Sequence, residues 1–125
     1  MNSHPHFQAY EILCIEHEAS CLYAELIQTV EPRQLCWVRP IVLRIFSPST
    51  PDGWDDQDAT LYDLRQDSDL LLPSCLFRTA LDTEVIPLLT ALQDFKTPPD
   101  GDRQAHHQLQ SFVWRLWHAN SSAFP

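Results

Sequence analysis

Only two glycines, Gly53 and Gly101, occur among 125 residues, against ten prolines. Glycine takes positive φ without a Cβ clash and lets a backbone pass close to a ligand. Phosphate-cradling loops, dinucleotide fingerprints and nucleophile elbows each need several glycines within a few positions. Both glycines here stand singly in Pro/Asp-rich stretches, so none of those frameworks can be built.

The length is that of one domain, able to bury roughly two thirds of its unfolded surface. Hydrophobic residues make up 44%, a globular proportion. No run approaches the ~18 consecutive apolar residues of a membrane helix. The start, Met1-Asn2-Ser3-His4-Pro5-His6, lacks the basic and apolar regions of a secretory signal. A cytoplasmic location is therefore expected. The net charge is −9, from seventeen acids and eight bases. Such a field repels phosphate backbones, and no basic stripe offsets it, so nucleic-acid binding is not expected. A protein partner with a basic patch or tail is electrostatically favoured.

Patterning predicts a flexible tail over 1–9, one domain over 10–119 and a loose tail over 120–125. Residues 10–18 read as a strand that breaks near Ala19-Ser20. Two apolar runs, Cys21 to Val30 and Leu35 to Phe46, flank Glu31-Pro32-Arg33-Gln34, where proline presets a type I turn. The second run is β-branched and aromatic, a long strand with Pro40 at a bulge or edge. The first also fits helical spacing, through Ala19, Leu22, Tyr23, Leu26, Ile27 and Val30. The hairpin is preferred because the connection is so short. Residues 47–60 read as a loop, Leu61 to Arg65 as a strand, and Leu70 onward as a return to the core. Two helices close the chain. The first is capped by Asp82 or Thr83, with an apolar stripe of Val85, Leu88, Leu89 and Leu92 that Phe95 extends. The second, capped by Asp100 or Asp102, carries Leu109, Phe112, Val113, Leu116 and Trp117. Strands first and helices last predict an α+β domain: an antiparallel sheet of about four strands, partly curled or open, with both C-terminal helices on one face.

Reactive constellations are scarce. Cys14, Cys21, Cys36 and Cys75 form no C-x-x-C pair and read as small hydrophobes in or near strands. His107 and His118 share a helix face but lie roughly 16 Å apart, too far to hold one ion. His17 and Cys21 are four apart, which pairs them on a helix but not on a strand. Asp52, Asp55, Asp56 and Asp58 lack the EF-hand order and read as a solvated acidic loop. No catalytic residue, cofactor or metal is assigned from the sequence.

The aromatics say more. Trp37 lies beside Arg33, Arg39 and Arg44 in sequence, Trp54 sits in a hydrophilic loop, and Trp114 lies off the apolar stripe of its helix. Tryptophan and arginine are over-represented at binding hot spots. The ordinary reading packs Trp37 and Trp117 in the core. The binding reading selects Trp37, Arg33, Arg39, Trp54 and Trp114 as partner-contacting residues.

Three phrases, Leu22-Tyr23-Ala24-Glu25-Leu26-Ile27-Gln28 with Arg33 to Pro40, Asp63-Leu64-Arg65 with Ser68 to Pro73, and Leu76-Phe77-Arg78 with Ala80 to Leu89, resemble a small family of uncharacterised cyanobacterial proteins. The resemblance spans about residues 16–92 and carries no catalytic motif. It implies a cyanobacterial cytoplasm and, by analogy, an accessory factor for a photosynthetic complex or carboxysome. The expected function is a non-catalytic protein-interaction module of assembly or chaperone-like kind. Two alternatives stay open: a small enzyme using carboxylate and histidine acid–base chemistry, metal-assisted or not, and a structural subunit of a homo-oligomer such as a dimer.

Overall fold

In a computed structural model, the structure describes residues 7–46, 59–94 and 100–124. A tight hairpin organises it. Strand β1 (Ile12–His17) turns through Glu18-Ala19 into β2 (Ser20–Val30), pairing antiparallel with His17 opposite Ser20 and Cys14 opposite Tyr23. Two-residue hairpin loops demand positive φ in the turn, usually from glycine. Here Glu18 supplies it, with φ of 53°, at a conformational cost of about 1 kcal/mol or more.

The run from Cys21 to Val30 is thus a strand and not a helix. It pairs along its length with β3 (Leu35–Phe46). The tip between them differs from a type I turn: the Glu31–Pro32 peptide is cis and Gln34 has φ of 58°. Tyr23 pairs with Val42 but Ala24 with Pro40, so Ile41 is an extra residue. Pro40 therefore lies at a bulge, where its missing N–H is tolerated. The bulge also resets the alternation, so that Cys36 and Val38 before it and Leu43 after it enter the same core.

The far side of β3 is shared end to end by β4 (Ala59–Asp63) and β5 (Leu70–Pro73). A two-residue strand, β6 (Arg78–Thr79), pairs with β1 at the opposite edge. The sheet order is β4-β3-β2-β1-β6, with β5 also on β3. Among the described residues six strands stand where about four were expected; the extra ones are too short to show an alternating pattern. A flat sheet would separate Pro73 from Arg78 by about 25 Å. Five residue steps span at most about 18 Å, so the sheet curls.

The helices α1 (Asp82–Gln93) and α2 (Gly101–Ala119) follow. They do not share a face of the sheet. Leu13, Ile15, Leu22, Ala24 and Leu26 join Ala105, Leu109, Phe112 and Leu116 of α2 in the larger core cluster. Their alternates Cys14, Cys21 and Tyr23 join Val85, Leu88 and Leu92 of α1 in a smaller one. Successive strand residues point to opposite faces, so the sheet lies between the two helices. The reason is in the sequence: Cys21 to Ala24 is apolar without alternation, the mark of a strand buried on both sides. Phe7 and Phe124, from the segments expected to be tails, pack against the larger cluster.

The cap expected for α1 does not form, and the one expected for α2 is met in position only. Leu81 occupies the N-cap position of α1, and the Glu84 carboxylate reaches back to accept its N–H at 2.7 Å. Asp82 and Glu84 sit in the first turn, where the helix dipole favours acids. Asp100 holds the N-cap position of α2 but makes no side-chain cap bond. At the other end of α1, Arg65 donates to the Leu92 carbonyl while pairing with Asp63 at 2.7 Å.

Candidate functional site

A cleft of about 560 Å³ opens where α1 meets the β1–β2 hairpin. Its floor is set by hairpin parity. Glu16 faces Cys21 and Cys14 faces Tyr23, so these four side chains form a square on the α1 face. Cys14, Glu16 and Cys21 bring one sulfur, one oxygen and one sulfur within 4.8 Å of one another. Glu16, Cys21 and Tyr23 line the cleft, while Cys14 is wholly buried behind them.

Above the square lies a charged network. Arg78, opposite Cys14 in the sheet, bonds Glu84 through Nη1 at 2.8 Å and Nη2 at 2.9 Å. It also bonds Glu16 through Nε at 3.1 Å and through Nη2, both to Oε1. The Tyr23 hydroxyl donates to Glu84 Oε1 at 2.9 Å. Arg78 hydrogen bonding, aided by the Leu81 N–H and the Tyr23 hydroxyl, holds the Glu84 carboxyl down to about 2. Hydrogen bonding to Glu84 in turn keeps the Arg78 guanidinium charged.

The thiols are unequal. Interaction with the adjacent Cys21 thiol, together with burial, pushes Cys14 up. Interaction with Cys14, aided by Tyr23 and opposed by burial, draws Cys21 down. Cys36 is separate: burial raises it, and its thiol donates to the Ser74 hydroxyl at 3.4 Å. Cys75 departs from the expected buried role and is exposed in a 3-10 turn. Native protein should therefore give one rapidly modified thiol, Cys75, with a maleimide or aryl-disulfide reagent, and all four in denaturant. Fast modification of a second cysteine would contradict this burial.

The residues selected for partner contact divide. Trp37 and Arg39 come together on the α1 face of the sheet, at the end α1 leaves uncovered. Trp37 stands opposite Leu71, and the two are 38% and 56% exposed. Asp69 braces this strip, accepting the Trp37 indole N–H at 3.0 Å and pairing with Arg39 at 3.5 Å. Arg33 is exposed in the β2–β3 connection. Trp114 lies on α2, across the sheet, 62% exposed with its ring 3.9 Å from that of His118. Trp54, the four aspartates of 52–58 and Phe95 lie outside the described residues. Trp117, expected in the core, is half exposed.

The histidines of the described residues do not converge. His17 sits at 6.5 Å from the Phe112 ring on the α2 face, because the turn at 18–19 separates it from Cys21. His106 bonds Asp67 at 2.8 Å. The trio Cys14, Glu16 and Cys21 has no signature spacing. The available signal was the turn: once it falls at 18–19, strand alternation places all three on one face.

No helix among the described residues is long and apolar enough to cross a membrane. No family model matches the chain, and neither a curated protein nor a solved structure is found that resembles it.

Proposed function

We propose that the protein is a non-catalytic interaction module that receives an extended, basic-and-aromatic peptide segment of another protein. The observation that carries this reading is the braced strip of Trp37 and Leu71. An exposed tryptophan fixed by an Asp69 hydrogen bond has already lost rotamer freedom, so a partner need not order it on binding. Beside it, β5 pairs with β3 on one side and with no other strand among the described residues. A peptide strand could add there, setting its alternate side chains beside Leu71, with long ones reaching over it toward Trp37. The net charge of −9 favours lysine and arginine in that segment. The accessory role in a cyanobacterial photosynthetic complex or carboxysome implied by the resemblance belongs to this class and is proposed with it.

A displayed library of short random peptides, selected against the full chain, tests the reading. Enrichment of peptides combining aromatic residues with Lys or Arg is expected, with affinity falling as salt rises. Trp37→Ser with Leu71→Ser should lose those peptides at least tenfold while changing stability by about 1 kcal/mol or less. Peptides that bind wild type and the double variant alike would overturn it, as would selection with no basic bias.

A further inference from the structure

We propose that Cys14, Cys21 and Glu16 form a zinc site whose open side is the cleft beneath α1. Two buried thiols and a carboxylate are a donor set that selects a thiophilic dication over calcium or magnesium. In a tetrahedral site with Zn–S near 2.3 Å, neighbouring sulfurs lie about 3.8 Å apart. The three donor atoms here already lie within 4.8 Å of one another, so sub-ångström side-chain adjustment closes the site. The scaffold is rigid, because all three sit on the paired strands of one hairpin.

The surroundings fit a metal in two further ways. Arg78 bonds Glu16 through Oε1 alone, and Oε2 accepts no hydrogen bond among the described residues. That oxygen is available as the ligand while the guanidinium orients the carboxylate, the usual outer arrangement around a metal-bound acid. Charge is also nearly compensated. Two thiolates, one carboxylate and Zn²⁺ leave one negative charge, set against the Arg78 guanidinium that Glu16 and Glu84 share, so the whole group carries a single net negative charge. Binding displaces the two thiol protons to solvent. The thiols lie diagonally across the strands, a relation that places Cα atoms roughly 7–8 Å apart. A disulfide needs less than about 7 Å, so metal ligation suits the pair better than oxidation to a bridge.

The test uses the full chain, reduced and stripped of metal, titrated with Zn²⁺ and with Co²⁺ as a spectroscopic probe. One ion per chain is expected, with thiolate-to-cobalt charge-transfer absorption, tetrahedral ligand-field bands and proton release on zinc uptake. Glu16→Gln should weaken binding at least tenfold, and Cys14→Ser with Cys21→Ser should abolish the cobalt spectrum, while Cys36→Ser and Cys75→Ser retain it. Should the double cysteine variant fail to fold, wild type still decides the matter. Alkylation mapped by peptide mass in mild denaturant should show Zn²⁺ protecting Cys14 and Cys21 but not Cys75. No stoichiometric uptake at micromolar zinc, protection of neither thiol, or a cobalt spectrum that survives loss of both cysteines would overturn the site.

Discussion

Phe112→Ala should destabilise the protein by about 3–5 kcal/mol, a lowering of Tm by more than about 10 °C for a chain of this size. Phe112 is wholly buried, and α2 brings it against Leu13, Ile15 and Leu22. Truncation leaves a cavity that a curled, paired sheet cannot collapse to fill. Leu88→Ala on α1 should cost less, about 2–3 kcal/mol, because its cluster is smaller and its side chain lies near the surface. The double variant tests the architecture. With the sheet between them, the two costs should add to within about 0.5 kcal/mol. Denaturant titrations of the two single variants and the double would show this. A coupling well above that value would mean the helices share a core after all.

Acid should weaken the fold through Glu84. Its carboxyl is held at about 2 in the folded protein against an ordinary value of 4.5. The folded state therefore binds fewer protons between those values. The stabilisation is fully present above about pH 4.5 and is lost as pH falls toward 2. Arg78 is 43% exposed, so solvent screening reduces the contribution to about 1–2 kcal/mol. Asp63, held low by hydrogen bonding to Arg65, acts in the same direction. Glu84→Gln should lower stability at pH 7 and flatten the acid limb by the same 1–2 kcal/mol. Denaturant midpoints measured across that range decide it. Parallel curves for the two proteins would show that the Arg78–Glu84–Tyr23 network carries no net stability.

Much of the fold was readable from the residues because local chemistry and tertiary demand agree. The β-branched run after Leu35 and the stripe of Leu109, Phe112 and Leu116 each point one way, whereas Pro32 marked the place of a turn but not its type. The layer order was readable too, but only by weighing the unbroken apolar stretch Cys21 to Ala24 above the habit of covering one face. What sequence could not supply is the meeting of distant residues. Arg78 joins Glu16 across 62 positions, and Tyr23 joins Glu84 across 61. Neither partner has a motif, since an arginine in a two-residue strand gives no periodic signal. Trp37 was singled out from composition, yet its brace, Asp69, comes from the loop before β5 and is visible only in three dimensions.

The bend at Glu18 carries a last consequence. A glycine there would turn the chain with less conformational cost but would leave the corner bare. Glu18 instead borders the cleft under α1 while its carboxylate reaches Arg115 of α2 at 3.6 Å. The corner that bounds the cleft on one side of the sheet is thus tied by charge to the helix on the other.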